Sequence, residues 1–382
     1  MTIAAMTTII SKKGNLNDKG WDSLNKLFGN KMFRGDENVN LAVPVIPFPS
    51  PSLADASHFG GVPFGKISQF HGPEGSGKTF MAMLIAKKVL EDDPCAEVMW
   101  FDCENAFDRQ WAEDIGIDMS RITISEENNG AEVFTMICGK PSKTGGKSQP
   151  GILDLNKEGL LNVKLIVIDS IAAIIPPVEL TRSMDEQDIA ALARFLPRAL
   201  RVTGSKLAQN DTALLCINHA KEAIGDMVNQ FTYPGGRGLR YHLSLTILFN
   251  TTQSKSATLL DENGLKCGHK VYCTVEKTRG GPNKWKATVW FNFVEGTVAK
   301  LGEEVALLGE AYGVIKRPNN TKWVYENVEK SGKDNFFAYL DKNPDLMKTI
   351  VRECNEIKNR GGSRNPELNS EESNSAEGDK EE

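Results

Sequence analysis

Between a strand-like apolar pattern and a helix-like one lies Gly72-Pro73-Glu74-Gly75-Ser76-Gly77-Lys78-Thr79, a complete G-x-x-x-x-G-K-[ST] loop. No other feature of the chain constrains its fold as strongly. Glycines let backbone amides turn toward phosphate oxygens, Lys78 reaches the β/γ oxygens, and the Thr79 hydroxyl holds Mg²⁺. A helix beginning near Lys78 adds its positive N-terminal end to the same anion site. The flanks agree with this reading. Upstream, residues 66–71 alternate and end at the glycine, as a strand feeding the loop does; downstream, Phe80, Met81, Met83, Leu84, Ala86, Val89 and Leu90 keep helical spacing until Glu91-Asp92-Asp93-Pro94. The motif in this setting implies a nucleoside triphosphate site.

Around the loop, strand and helix signals alternate, which predicts an α/β P-loop core: a mostly parallel sheet with helices on both faces. Strands are expected at 66–71, 97–102, 164–169, 213–218 and 245–250, and an antiparallel edge hairpin at 269–277 and 284–293 around Gly280-Gly281-Pro282-Asn283. Trp21, Leu24, Leu27 and Phe28 share one face of an N-terminal helix over 17–28, with Asn15 and Asn17 as cap candidates. A connector with Pro44, Pro47, Pro49 and Pro51 reads as extended, and the Gly/Lys/Ser-rich stretch 139–151 as a surface insertion without structure of its own. Beyond residue 299 the pattern changes to helices at 301–312, 334–341 and 344–358 around a small strand pair at 314–325. The expected organisation is an N-terminal helix in 1–35, a core over 36–299, a small C-terminal α/β module over 300–362 and an acidic tail over 363–382.

Composition narrows the setting. No stretch approaches a membrane span, and no basic segment followed by an apolar run opens the chain, so a cytoplasmic protein without a membrane partner is expected. Seven cysteines occur without a C-x-x-C pair, the usage of a reducing compartment, and none has zinc-ligand spacing from the histidines. The net charge of −5 is uneven: residues 367–382 hold seven acids against Lys380, a local −6 that leaves the body near +1. So short a polar acidic run buries too little apolar surface to fold, and it reads as a mobile tail.

Two apolar strands end in acids. Leu165-Ile166-Val167-Ile168-Asp169 has the Walker B pattern and places Asp169 near Mg²⁺ beside Thr79; Met99-Trp100-Phe101-Asp102-Cys103-Glu104 delivers a second pair of carboxylates, of which Glu104, beyond the strand, is better placed to orient water. His219 ends another strand; by itself it reads more readily as an ordinary polar residue there than as a functional one. Arg194, Arg198 and Arg201 recur at spacings of four and three on one helix face, which fits either a phosphate backbone or a solvated charged face. The loop 220–238 mixes Lys221 and Arg237 with Glu222 and Asp226, while Gly235 and Gly236 allow either close approach to a strand of DNA or a simple turn.

Taken together, the phosphate loop, Phe101-Asp102-Cys103-Glu104-Asn105-Ala106-Phe107-Asp108, Val167-Ile168-Asp169-Ser170, Cys216-Ile217-Asn218-His219, Gly235-Gly236-Arg237-Gly238-Leu239-Arg240-Tyr241 and Glu276-Lys277-Thr278-Arg279-Gly280-Gly281-Pro282 occur in the order of RecA-type recombinases. From about Ser50 to Thr297 the chain resembles that family, and His219, where most bacterial RecA proteins have Gln, resembles its phage UvsX-like branch. The resemblance implies an ATPase that coats single-stranded DNA as a helical filament, finds homologous duplex DNA and exchanges strands, with single-strand-binding or loading proteins as further partners. It implies that Glu104 activates water, that Asp108 and Trp111 contact adenine, and that His219 senses the γ-phosphate. Lys277 and Arg279 resemble the pair that reaches the neighbouring subunit's nucleotide, although the chain is one residue shorter than bacterial RecA before Pro282. Arg194 and Arg201 fall on family DNA-contact positions, and Lys221, Gly235 and Gly236 lie in the family's DNA loop. Residue chemistry alone leaves Trp111 open as a core aromatic and Lys277 and Arg279 as solvated edge charges. A RecA-fold ring helicase and a low-turnover ATP-gated mediator are the competing functions.

Overall fold

The structure, a computed structural model, describes residues 18–27, 43–142, 148–181, 190–219, 221–222, 231–232, 234–252, 254–283 and 285–362. They fall into two units divided after Val43. In the first, the expected helix spans Asp18–Leu27, with Leu27 at 65% exposure. Asn15, Asn17 and Phe28 lie outside the described residues, as does the acidic tail.

In the second unit a short pair, β1 (Val45–Pro47) and β2 (Gly61–Pro63), precedes the strands of a large sheet. These are β3 (Ile67–Gly72), β4 (Glu97–Asp102), β5 (Ile122–Ser125), β6 (Val163–Asp169) and β7 (Ala213–His219). After a two-residue pair, β8 (Lys221–Glu222) and β9 (Phe231–Thr232), come β10 (Leu245–Thr251), β11 (Thr258–Leu260), β12 (Lys266–Thr278), β13 (Trp285–Asn292) and β14 (Thr297–Ala299). The order is β14-β13-β12-β10-β3-β7-β6-β4-β5, with β11 on β12. From β10 to β5 all neighbours are parallel; beyond β10 all are antiparallel. The sheet is therefore mostly parallel with an antiparallel edge, as expected.

Burial explains why these runs became central strands. Every residue of β3 and all but the last of β7 are buried, because helices cover both faces of a parallel sheet. On one face Phe70, Trp100, Ile217 and Phe249 pack against Met81 and Ile85 of the helix Lys78–Asp92. On the other, Phe101, Ile166 and Leu214 meet Leu196 and Leu200 of the helix Ala191–Leu207.

Three expectations change. Pro51 does not continue an extended connector: it opens the helix Pro51–Ser57, whose first turn is capped by the Ser50 hydroxyl, because proline's fixed φ and missing N–H suit that position. Of the insertion 139–151, residues 140 and 149 exchange both backbone hydrogen bonds, at 2.8 and 2.9 Å, so its base is paired rather than unstructured. The C-terminal strand pair gains a third member: β15 (Lys316–Asn319), β16 (Lys322–Tyr325) and β17 (Val328–Ser331) form one antiparallel sheet. With helices Leu301–Ala311, Lys333–Asp341 and Pro344–Asn359 it encloses a core of its own around Trp323, Phe336 and Ile350.

The helix Pro51–Ser57 joins this module to the main sheet. Asp55, only 5% exposed, accepts from Lys358 Nζ at 2.7 Å and from the Tyr312 hydroxyl at 3.0 Å. Glu304 Oε2 accepts from the hydroxyls of Ser50 and Ser52 at 2.6 and 3.0 Å. Six of the seven cysteines are buried, Cys95 being the exposed one.

Candidate active site

The phosphate loop leaves β3 at Gly72 and enters the helix at Lys78. Two of its glycines have no substitute. At Gly72 an ideal Cβ would lie 2.0 Å from Phe249 O, and at Gly77, with φ of 82°, it would lie 2.4 Å from the Phe291 ring. Ser76 Oγ donates to Pro73 O at 2.8 Å and closes the loop on itself. Lys78 is buried, and its ammonium donates to the carbonyls of Gly72 and Pro73 at 3.0 and 2.7 Å. Burial lowers its pKa, opposed by the charges of Asp169, Glu104 and Glu74.

Carboxylates gather beside the loop because β4 and β6 pair with Asp102 opposite Asp169, so both strands end at the same level. Asp102 is committed to the local turn, accepting from Ala106 N and Phe107 N at 3.1 and 2.9 Å. That turn presents Glu104. The Thr79 hydroxyl donates to Asp169 Oδ2 at 2.9 Å. Burial pushes Asp169 up to about 6; the Thr79 bond opposes the rise, Glu104 and Asp102 add to it, and Lys78 counters it.

β7 pairs with β3 so that His219 stands opposite Gly72. His219 Nε2 lies 2.7 Å from Glu104 Oε1, which also accepts from the Ser170 hydroxyl. Ser170 was not singled out in the sequence, although its place directly after the Walker B acid is a usable signal.

These groups share a cavity of about 420 Å³. Glu74, Gly75, Gly77, Lys78 and Thr79 line one side, Glu104, Asp169 and His219 another. Its apolar wall comes from Phe80, Trp111, Ile217 and Phe293, with His269 beside them. Trp111 stacks on Phe80 at 5.6 Å with 14° between planes and donates Nε1–H to Phe293 O at 3.1 Å, so it is both a packed aromatic and a cavity wall. Asp108 is not brought to the cavity lining: its carboxylate caps the helix Arg109–Asp114, accepting from Trp111 N at 2.9 Å. His269 and Phe293 lie on or just past the antiparallel strands β12 and β13, far along the chain, and only the sheet order brings them here.

Lys277 and Arg279 stand elsewhere. Leu245 pairs with both Ser68 and Thr278, which places the end of β12 level with the start of β3, the end remote from the phosphate loop. Lys277 Nζ donates to Arg240 O, and Arg279 Nη2 to Tyr241 O at 2.9 Å. His242 lies among them: burial, then the charges of Arg201, Lys277 and Arg279, lower its pKa. A cationic cluster thus forms away from the phosphate-loop cavity.

Arg194, Arg198 and Arg201 are exposed on the helix Ala191–Leu207. Gly235 and Gly236 have φ of 100° and 66° and pack against that helix, with ideal Cβ atoms 3.2 Å from Leu196 Cδ1 and 3.1 Å from Ala193 Cβ. A tight turn on the arginine helix accounts for both glycines. Asn218, next to His219, donates to Pro234 O at 3.0 Å and ties this turn to the cavity strand. Lys221 pairs with Thr232 through the backbone.

A family model for the RecA N-terminal domain matches residues 18–297. The RecA protein of Mycoplasma pneumoniae is 30% identical over 316 residues, 82% of this chain and 87% of that relative. The RecA proteins of Mycoplasmopsis pulmonis and Thermus aquaticus are 29% and 28% identical, covering 89% and 86% of this chain and 93% and 90% of their own lengths. With the phosphate loop, the paired strand-end acids and the strand order already in place, this chain belongs to the RecA family.

Proposed function

We propose that this protein is an ATP-dependent recombinase whose copies assemble as a helical filament on single-stranded DNA, pair it with homologous duplex and exchange strands. The observation that carries the reading is the convergence on one cavity of the phosphate loop, the Thr79–Asp169 pair and a Glu104 held by Ser170 and His219. ATP fits these residues. The Lys78 ammonium is held by carbonyls rather than a carboxylate, so a phosphate can take it up, and Gly75 leaves open space where a Cβ would stand. Mg²⁺ fits as well: the Thr79 hydroxyl and the Asp169 carboxylate, 2.9 Å apart beside the phosphate loop, offer hard oxygens to an ion that also binds substrate phosphates.

When bound, ATP with Mg²⁺ supplies the transferable phosphoryl group and part of the charge neutralisation. The chain's own groups do the rest. Lys78 and the loop amides hold the phosphate oxygens, and Glu104 orients the attacking water. Trp111 and Phe293 wall the base, with Asp108 setting the helix that carries Trp111. His219 contacts Glu104 while its neighbour Asn218 holds the turn at Pro234, so phosphate state and the DNA loop that includes Lys221, Gly235 and Gly236 are coupled. Lys277 and Arg279, level with the start of β3 rather than with its phosphate-loop end, serve the next copy's nucleotide, and Arg194 and Arg201 face DNA phosphates. The segment 1–35 joins neighbours, 36–299 holds the catalytic core, 300–362 forms the smaller module and 363–382 the acidic tail, in a cytoplasmic protein that works with single-strand-binding or loading partners.

ATP turnover measured with and without single-stranded DNA, with electron microscopy of the same samples, tests this directly. DNA-stimulated hydrolysis together with nucleotide-dependent filaments is expected; turnover indifferent to DNA in a protein that stays monomeric overturns the reading.

A further inference from the structure

We infer that His71 and Glu276 form a positioning pair, which holds the cations Lys277 and Arg279 in register with the strand that carries the chain's own phosphate loop. This rests on the assembly reading above, in which those cations serve a neighbouring copy.

His71 is fully buried, the last residue before Gly72, and its Nε2 lies 3.1 Å from Glu276 Oε2. Glu276 in turn directly precedes Lys277. One contact therefore joins the residue beside the phosphate loop to the residue beside the cationic cluster. Strand β10 lies between them, so the contact crosses two strand spacings, roughly 10 Å. A regular β12 offers no reason for Glu276 to make that reach. The register supplies one: Thr246 pairs with Lys277 and Ile247 with Val275, which leaves Glu276 as the extra residue of a β-bulge. Bulges re-aim a side chain and bend the strand that carries them.

The bend is held at both ends. On one side, Glu276 is anchored to His71. On the other, Arg279 N donates to Ser244 O at 3.0 Å, Arg279 Nη2 to Tyr241 O at 2.9 Å, and Lys277 Nζ to Arg240 O. Although burial raises the Glu276 pKa, the His71 bond, the charge of His71 and that of Arg240 outweigh it, so the carboxylate stays ionised. Removing the anchor frees the bulge and displaces both cations, while the groups lining the nucleotide cavity stay in place. Small misplacements of this kind cost catalysis far more than binding.

The test uses the full-length protein and four variants, Glu276→Ala, Glu276→Gln, His71→Ala and the His71→Ala/Glu276→Ala double. Nucleotide affinity of the free protein is measured beside DNA-stimulated turnover at saturating ATP. For Glu276→Ala we expect turnover to fall about tenfold with affinity kept within about twofold. Glutamine, which still reaches the imidazole, restores turnover, and the double variant is no worse than the weaker single because both remove one interaction. Glu276 is partly exposed, so its variants report even where a change at the buried His71 lowers the yield of folded protein. Wild-type turnover in every Glu276 variant, failure of Gln to rescue, or equal losses in affinity and turnover overturns the pair's role while leaving the recombinase reading intact. A wild-type protein without DNA-stimulated turnover overturns both.

Discussion

Glu104 and Asp169 are both acids at strand ends, yet their surroundings assign them different work. Glu104 accepts from His219 and Ser170 and lines the cavity, the contacts on which its proposed water-orienting role rests. Glu104→Gln is expected to lower ATP turnover by at least about a hundredfold while nucleotide still binds, as steady-state rates and equilibrium binding on one preparation will show. Asp169 sits among other acids in a desolvated corner, and its pKa of about 6 exceeds the unfolded value near 3.8. The folded state therefore holds more protons between those values, and its stability declines as pH rises from about 4 to about 6. Asp169→Asn, which keeps an acceptor for Thr79, should stabilise the nucleotide-free protein at pH 8 by on the order of 2 kcal/mol, with the gain shrinking toward pH 4 in calorimetric scans. A gain that grew on acidification would contradict the assignment.

Among the elements, the helix Ala191–Leu207 does two jobs. Its apolar side supplies Leu196 and Leu200 to the core, and its outer side exposes Arg194, Arg198 and Arg201. On the proposed reading this face lies along DNA, where each phosphate neutralised releases counterions and so steepens the salt dependence. Arg194→Ala and Arg201→Ala should each weaken single-stranded DNA binding across sequences and reduce the salt slope by about one, measured by fluorescence anisotropy across a salt series. The periodicity made this arginine stripe legible in advance, since side chains three and four apart share a face. Nothing local announced that Gly235 and Gly236 pack on the same helix.

For the molecule as a whole, one seven-residue helix, Pro51–Ser57, fastens the C-terminal module to the sheet. Its Asp55 is a buried carboxylate with two partners from that module, Tyr312 and Lys358. Breaking such a pair strands a charge away from water. Asp55→Ala should lower unfolding stability by about 3 kcal/mol in a denaturant titration followed by tryptophan fluorescence, with loss concentrated in the module's own transition if the two parts separate. An unchanged midpoint would mean that the apolar contacts alone hold the parts together.

What the sequence determined by itself is local or periodic: the phosphate loop, the buried parallel strands, the acids that end them and the arginine stripe. Each depends on neighbours within a few residues, where backbone geometry leaves few choices. The tertiary structure alone decided the rest. It brought His269 and Phe293 to the phosphate-loop cavity, carried Lys277 and Arg279 to the far end of the sheet and set a bulge that joins Glu276 to His71. Those outcomes follow from strand order and register between segments up to about two hundred residues apart, and pairing across such distances is settled by the whole packed sheet rather than by any stretch of chain.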